Sequence, residues 1–468
     1  MSERPFERRL DRRVLISVVA TGLLTFTGVC AETAMNVIFP TLMQEFDITT
    51  STVQWVTTIN LLMLAIIIPT SSWLKRQFRT KTLFGAAIFF FLAGTLLGMW
   101  SPSFTVLIIG RMLQGIGTGM AMPMMSNIIL EQVPQKNTAT IMGFATLTIA
   151  LGPAIGPAIG GLIVGIAGWR MIFACLLPFV IVAAIGGLTC IYQSSALARS
   201  PFDFKGFLML AVCFTCLLVP LSNISHWGIT NPLIWVMLMV AIAFLLFFKR
   251  HCDTRDMPLL NLTILRVPAF TFSLIALLLC QFFTLARGFM IPNFFQLTNG
   301  DSAFLSGCII LPACIVGAVL NPFCGSLYDH IGPKVPITIG FLCILAEITL
   351  EMFFMCHVSA YVMMGIAVLY CVGQSLCTGN VTTFALHSLP EMRTADGTAV
   401  INTLQQLFGA VGTAVASTVV SFGQAAHPED LALGTQIGTQ WSLYMIFVLA
   451  VVMFLCAIKG LRSGKRIR

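Results

Sequence analysis

Long apolar runs alternate with short polar connections along almost the whole chain. A helix needs about 20 residues to cross the roughly 30 Å hydrocarbon core of a bilayer, and fourteen runs are about that long or longer. The pattern therefore predicts fourteen transmembrane helices and no soluble domain. Their approximate bounds are residues 14–43, 53–73, 82–100, 103–130, 138–166, 169–192, 204–224, 231–250, 268–295, 303–328, 334–355, 358–387, 395–424 and 437–460.

Composition and charge agree with a membrane protein. Hydrophobic residues make up 57% of the chain and charged residues only 9%, against about 25% charged in a typical soluble domain. If fourteen helices alternate in direction, all of the 26 lysines and arginines except Arg111, Arg170 and Arg287 fall on one side. Because cytoplasmic loops are rich in positive residues, we expect a multi-pass protein of the cell membrane with both termini cytoplasmic. The net charge of +8 then reflects topology and contact with anionic membrane lipids, and not nucleic-acid binding.

Glycine and proline are concentrated in the fifth predicted helix. Membrane helices tolerate these residues where neighbouring helices approach closely and satisfy the freed backbone groups. Glycines four residues apart form a flat face on which another helix can pack or slide, which is typical of a transporter. The residues are Gly152, Pro153, Gly156, Pro157, Gly160 and Gly161.

The fourth predicted helix carries an arginine inside its apolar run. The order is Leu107, Arg111, Gln114, Gly115, Gly117 and Gly119. Together with the glycine and proline residues of the fifth helix, this order resembles signature motifs of the major facilitator superfamily, the fifth-helix motif being the one associated with its antiporters. The resemblance implies an all-α membrane protein with two six-helix bundles and a substrate site near the middle of the membrane, exposed to either side by alternating access.

A loop motif of the same superfamily occurs twice. The second copy is Gly325, Leu327, Asp329, Gly332 and Lys334, and the first is Pro69, Ser71, Trp73, Leu74, Phe78, Thr80 and Lys81. The first copy has Arg76 where the family has an aspartate, so a gating role is implied only for Gly325, Asp329 and Gly332. The repeat predicts an N-terminal bundle at 1–200, an inserted two-helix hairpin at 201–255 and a C-terminal bundle at 256–468.

Further stretches resemble the fourteen-helix drug:proton antiporters, and in particular multidrug exporters of the lincomycin-resistance type. They include Glu32, Thr33, Asn36 and Pro40, then Val53-Gln54-Trp55 and Pro258-Leu259-Leu260, and finally Asn402, Gln405, Gln406, Gly409 and Gly412. The resemblance covers nearly the entire chain. It implies proton-coupled efflux of drugs or other small amphipathic compounds, and hence antibiotic resistance.

Four ionisable residues lie inside the predicted helices: Glu32, Arg111, Arg287 and Glu347. A charge at the centre of the bilayer costs about 2.5–3.5 kcal/mol on insertion scales, so such residues are candidates for function. Glu32 and Arg111 are predicted at similar depth and can pair. Burial and a neighbouring arginine act in opposite directions on the protonation of a glutamate, so we expect Glu32 to carry the coupling proton and Arg111 to modulate it. The alternative is a static ion pair that holds the two helices together.

For Arg287 and Glu347 the sequence allows two roles each. Arg287 either lines the cavity or extends to the outer headgroups, and Glu347 either faces a neighbouring helix or supports a fold contact. If Arg287 faces the cavity, two arginines against one glutamate favour an anionic or zwitterionic substrate.

Uncharged polar residues in the helices complete the predicted substrate site, although many of them are expected only to join helices by hydrogen bonds. In the first half they are Asn36, Asn60, Gln114 and Asn127. In the second half they are Gln281, Asn293, Gln374, Asn380, Asn402 and Gln405.

Other classes of protein find little support in the sequence. The chain has no phosphate-binding loop that ends in Gly-Lys-Ser or Gly-Lys-Thr. Its six histidines are dispersed, and its fifteen cysteines are scattered through apolar runs without metal-site spacing. We therefore expect no enzyme, no metal and no cofactor except the coupling proton, and a monomer whose partners are a small-molecule substrate and membrane lipids. The alternative function is a dedicated transporter of one metabolite, peptide or lipid on the same fold.

Overall fold

The structure is a computed structural model that describes residues 11–194, 197, 201–255, 258–390 and 393–463. Fourteen long helices occur within these ranges, and no strand does. The first six are α1 (Arg12–Val37), α2 (Thr50–Gln77), α3 (Thr80–Met99), α4 (Phe104–Gln132), α5 (Gln135–Ala167) and α6 (Arg170–Cys190). The others are α7 (Phe204–Trp227), α8 (Pro232–Thr254), α9 (Pro268–Thr298), α10 (Leu311–Ile331), α11 (Lys334–Phe354), α12 (Ala360–His387), α13 (Thr394–Ala426) and α14 (Leu431–Ser463).

The fourteen predicted apolar segments correspond one by one to these helices, so the all-α membrane fold is confirmed. Over the residues that the structure describes, thirteen helical spans are long and apolar enough to cross a membrane, and the apolar part of α5, Leu151–Ala167, is shorter. Three predicted segments contain a break. The first is interrupted at Ile38, where a separate short helix Phe39–Phe46 follows α1. The second is interrupted at Gln54 and contains a short 3₁₀ helix at Ile68–Thr70. The tenth begins with a separate short helix, Ala303–Cys308, before α10.

The helices α1–α6 and α9–α14 form two groups of six, and each group packs around one central helix. α1 packs against α4, α5 and α6, and α9 packs against α12, α13 and α14. Both are buried along most of their length. By contrast, only 17% of the apolar window of α8 is buried, so this helix presents its apolar side chains outward, as expected for contact with lipid.

The hairpin of α7 and α8 lies against α2 and α13. Thr418 in α13 donates a hydrogen bond to the carbonyl of Leu221 in α7, at 2.7 Å. Asp203 caps the start of α7 and also contacts His251, at 2.8 Å, and Arg255 at the end of α8. Burial alone would raise the pKa of Asp203, but hydrogen bonds from His251 and the Gly206 amide, together with the nearby charge of Arg255, lower it below the usual value. Asp203 therefore ties the two ends of the hairpin together as a carboxylate at neutral pH.

The two groups of six helices meet most closely on the side away from the chain termini. We call the side on which α1 begins and α14 ends the terminal side, and the other the distal side. At the distal side Asn293 and Gln296 of α9 donate hydrogen bonds to the carbonyls of Asn36 and Val37, at 3.2 and 2.8 Å. Thr50 also donates to Gln424 at 2.7 Å. Among the described residues, every hydrogen bond between the two groups lies on this side, so the structure is closed distally.

Candidate functional site

A cavity of about 370 Å³ lies between the two groups of helices, below the distal contacts. Its walls come mainly from α1, α5, α9, α10 and α12. Apolar and uncharged polar side chains form most of the lining, as is usual for small-molecule sites. The predicted site residues that line it are Glu32, Asn36, Pro153, Pro157, Gln281, Arg287 and Gln374.

Glu32 is the acidic residue of α1 that lines the cavity. Its side chain is buried, with 6% exposure, and within the described residues it forms no hydrogen bond and no ion pair. A buried carboxyl without a partner gains little from being ionised. Glu32 is therefore free to gain or lose a proton without breaking any structural contact.

Arg111 lies behind Glu32, within the first six helices. It is fully buried, and it donates to the Val56 carbonyl at 3.1 Å and to Gln114 Oε1 at 2.6 Å. Gln114 in turn donates to Thr95 Oγ1 at 2.9 Å. The predicted pairing of Glu32 with Arg111 is not formed as a direct ion pair, although the two charges are near enough to attract each other. The second terminal nitrogen of Arg111, Nη2, has no hydrogen-bond partner among the described residues, so both of its N–H groups are unused.

Arg287 of α9 forms the second charged group of the cavity. Its Nε and Nη2 atoms contact the two carboxylate oxygens of Glu351 at 3.0 and 2.6 Å, and Nη2 also contacts Glu347. The guanidinium carbon lies 4.0 Å from the ring centroid of Tyr370. We call Arg287, Glu347, Glu351 and Tyr370 the α9–α11 cluster. Arg287 therefore lines the cavity and is neutralised from behind by two acids.

The cluster changes the charge count that the sequence suggested. Glu351 was not among the predicted residues, although its spacing of four from Glu347 places both acids on one face of a helix. With Glu32, the buried residues near the cavity comprise three carboxyl groups and two arginines. The excess of arginine on which the expectation of an anionic or zwitterionic substrate depended is absent, because both acids of α11 face Arg287.

Two more polar contacts shape the cavity wall. Gln374 of α12 donates to Thr284 Oγ1 at 3.1 Å, and that hydroxyl also contacts the Tyr370 hydroxyl at 2.9 Å. Asn36 accepts a hydrogen bond from Thr57 at 2.8 Å. Gln374 and Asn36 thus present fixed polar groups to the cavity from opposite halves.

Several predicted substrate residues lie elsewhere. Asn60 and Gln114 are buried within the first six helices, and Asn293 belongs to the distal contacts. Asn402 is exposed and Gln405 is half-buried on α13, and neither is among the residues that line the cavity. The neighbouring residue Gln406 lines the cavity instead. Polarity alone did not reveal which face of each helix points inward.

The glycine face of α5 packs directly on α1, as predicted. A Cβ atom at Gly152 would lie 2.8 Å from Val29 Cγ1, and one at Gly160 would lie 3.0 Å from Ala34 Cα. At Gly156 it would meet the Thr33 hydroxyl and lie 2.8 Å from the Cys30 carbonyl oxygen. Thr33 also donates to the Gly152 carbonyl at 3.2 Å. The face therefore holds α5 against the helix that carries Glu32.

The same helix contacts the second half through different residues. A Cβ atom at Gly161 would meet the backbone of Ala303 and lie 2.8 Å from Phe304 Cα, and one at Gly307 would meet the carbonyl of Pro157. One side of α5 thus touches α1 and the other touches the short helix before α10. A helix in this position can transmit movement between the two halves.

We expect Gly156→Leu to destabilise the protein, because the new side chain would overlap Thr33 and Cys30. Overpacking of this kind costs about 1–3 kcal/mol, and thermal unfolding of the purified protein in detergent measures it. Gly165→Leu is the matched control, since Gly165 lies on the same helix with nothing within 4 Å of a Cβ atom. Equal stability of the two variants would show that the α1–α5 contact is not tight.

The second copy of the loop motif begins at the terminal end of α10. Nothing lies within 4 Å of a Cβ atom built on Gly325 or Gly332, and Gly332 ends the helix with a φ of +79° that favours glycine. The backbone of Asp329 belongs to α10, whereas its side chain lies outside the described residues.

Comparison with known proteins agrees with this architecture. The family model described as Major Facilitator Superfamily matches residues 21–413. The lincomycin resistance protein LmrB of Listeria monocytogenes is 34% identical over 458 residues, covering 95% of this chain and 96% of that protein. LmrB of Bacillus subtilis is 31% identical, covering 97% and 96%. A multidrug resistance protein B homolog of Mycobacterium tuberculosis is 26% identical, covering 93% and 81%.

Solved structures show the same fold at low sequence identity. A bacterial homolog of the human lysosomal transporter Spinster, in an inward-facing and unoccupied conformation, matches with a TM-score of 0.70 at 14% identity, covering 97% of this chain and 98% of that one. The peptide transporter PepTSo of the POT family matches with a TM-score of 0.68 at 15% identity, covering 98% and 99%.

Proposed function

This chain belongs to the major facilitator superfamily and is a transporter rather than an enzyme, and from that membership we propose that it exports drugs or other small amphipathic compounds in exchange for protons. The observation that carries the proposal is Glu32, a carboxyl group without a partner on the wall of the central cavity. The names of the relatives from Listeria, Bacillus and Mycobacterium support drugs as the substrate class.

The proposed orientation places both termini in the cytoplasm, because Lys and Arg cluster in the connections on the terminal side. The distal side is then the outside of the cell, and the structure is closed outward. In this conformation the cavity takes up substrate from the cytoplasm. The proposed moving units are the bundles at 1–200 and 256–468, with the hairpin at 201–255 as an insertion between them.

Transport then follows from the charge of the cavity. When Glu32 and both acids of α11 are ionised, the buried groups carry three negative charges against two positive ones, which favours a cationic or zwitterionic substrate over an anion. Opening outward exposes Glu32 to the more acidic side, and protonation removes the charge that held the substrate. Return to the inward conformation releases the proton to the cytoplasm. Arg111, near Glu32 but not bonded to it, sets how readily the proton leaves.

The contacts of the predicted residues suggest three roles. Asn36, Gln374 and Arg287 face the cavity and are proposed to contact substrate. Gln114 joins Arg111 of α4 to Thr95 of α3, Asn60 is buried in α2, and Asn293 belongs to the distal contacts. Gly152, Gly156, Gly160 and Gly161, with Pro153 and Pro157, let α5 move against α1 and the second bundle.

Purified protein in liposomes tests the proposal. With an acidic lumen, we expect accumulation of the cationic dye ethidium and of lincomycin in vesicles whose terminal side faces outward, and proton release when substrate is added. Collapse of the pH gradient by an uncoupler should abolish accumulation. Transport that does not respond to the gradient would contradict proton coupling, and uptake of only one compound from a broad panel would favour a dedicated transporter of one metabolite, peptide or lipid.

A further inference from the structure

The α9–α11 cluster contains one more acid than base. Arg287 faces both Glu347 and Glu351, and all three side chains are buried, with 5%, 0% and 0% exposure. If both acids were ionised, the cluster would hold one uncompensated negative charge away from water, which is strongly unfavourable. One proton makes the cluster neutral without moving any atom.

The contacts distinguish the two acids. Glu351 receives three hydrogen bonds from Arg287, two from Nε and one from Nη2, and so forms the paired carboxylate. Glu347 receives only one, from Nη2, and its other oxygen, Oε2, is buried with no hydrogen-bond partner among the described residues. An oxygen with no donor nearby gains nothing from charge, whereas a protonated carboxyl can carry its hydrogen there.

Other titratable groups do not offer an alternative counter-charge. Cys371 of α12 and Cys314 of α10 lie beside the cluster, but a cysteine side chain is neutral or negative and cannot supply a positive charge. Tyr370 stacks on Arg287 and is neutral as a phenol. On α14, which also packs against α11, the titratable residues are Tyr444, Cys456, Lys459 and Arg462, and none of them acts on Glu347.

Within the α9–α11 cluster, Arg287 and Tyr370 connect this proton to the cavity. Both line it, whereas neither Glu347 nor Glu351 does. With the proton bound, the cluster adds no net charge to the cavity wall. Without it, the wall carries one negative charge at the place where a cation would bind. Either a proton or a cationic substrate can neutralise this charge, so the two can replace each other.

We propose that Glu347 is a second proton-carrying residue, separate from Glu32, whose proton is exchanged for a cationic substrate beside Arg287. The presence of the proton follows from the cluster alone, whereas its exchange for substrate rests on the proposed function. The cavity would then have two proton sites, one in each half of the protein.

Infrared spectroscopy of the purified protein in lipid tests the proton directly, without any substrate. We expect the wild type to show a carbonyl stretching band of a buried protonated carboxyl that disappears in Glu347→Gln and persists in Glu32→Gln and in the exposed control Glu429→Gln. Glu347→Asp should retain a carboxyl band at a shifted frequency, and this second variant decides the matter if Glu347→Gln does not fold. A band unchanged in Glu347→Gln, or unshifted in Glu347→Asp, would overturn the proposal.

Proton release on addition of ethidium tests the exchange. Glu347→Gln should release fewer protons for each ethidium bound than the wild type, while still releasing some through Glu32. Equal release by the two would overturn the exchange. If the wild type neither binds ethidium nor releases protons, the proposed drug export fails, and the infrared result still decides whether Glu347 holds a proton.

Discussion

Glu32→Gln is expected to abolish proton-driven accumulation of substrate, reducing it to the level of liposomes without protein. Glutamine has nearly the same shape, but it cannot bind and release a proton in this range of pH. Because the Glu32 side chain has no partner among the described residues, its replacement breaks no contact. We therefore expect the variant to fold with unchanged thermal stability and still to bind ethidium, but more weakly than the wild type, because the negative charge that attracts the cation is gone.

The measurement is uptake of ethidium into liposomes with an acidic lumen, compared with exchange of labelled ethidium across vesicles without a gradient. The variant should lose the first activity and keep the second. Glu429→Gln, an exposed residue of the distal loop, is the control that changes the same chemical group elsewhere. Coupled uptake that remains undiminished in Glu32→Gln would remove this residue from the mechanism.

Arg287→Leu is expected to cause the largest loss of stability among single substitutions in the cavity wall. It would leave Glu347 and Glu351 buried without a counter-charge, and removal of one partner from a buried ion pair costs about 3–5 kcal/mol. Thermal unfolding in detergent measures the loss. The exposed Arg266 provides a matched control, since Arg266→Leu should change stability by no more than about 0.5 kcal/mol.

A triple variant distinguishes the effect of charge from the effect of packing. Arg287→Leu combined with Glu347→Gln and Glu351→Gln removes all three ionisable groups of the cluster, and neutral replacements of a buried ionic group are often tolerated. We expect it to recover most of the stability lost in Arg287→Leu. If Arg287→Leu is as stable as the wild type, the two acids are not held by Arg287.

The fold was predictable because a segment that crosses the bilayer must be apolar and about 20 residues long, which is visible in the sequence. An apolar run of the right length has one stable arrangement in hydrocarbon, a helix with its backbone bonds satisfied internally. The breaks were harder to see. Nothing in residues 14–43 separates α1 from the short helix Phe39–Phe46 except Pro40, which here lies near the start of the second helix.

The residues of the site that could be predicted are the ionisable ones inside apolar helices, where a charge is costly. Glu32 and Arg287 were identified because few charged residues occur in apolar runs, and both line the cavity. Glu351 was missed because it lies near the end of its predicted segment, where a charge can reach the headgroups and needs no functional explanation. The repeat of four residues between Glu347 and Glu351 was the available signal.

Neutral polar residues could not be assigned from sequence. Gln114 and Gln374 have the same side chain, but Gln114 joins Arg111 to Thr95 inside one bundle, whereas Gln374 faces the cavity. The difference depends on how far each helix is rotated about its axis. That rotation is set by contacts between helices, such as those of Gly94 and Gly117 on neighbouring backbones, and no single helix contains the information.

The two distal hydrogen bonds that α9 donates to α1 are asymmetric in a way that affects how the protein can evolve. The donors are the side chains of Asn293 and Gln296, whereas the acceptors are main-chain carbonyls of residues 36 and 37. A substitution on the donor helix can delete its half of the contact, but no side-chain substitution on the other helix removes a carbonyl. Selection can therefore alter the side chains of α1 while these two acceptors of the distal contacts stay unchanged.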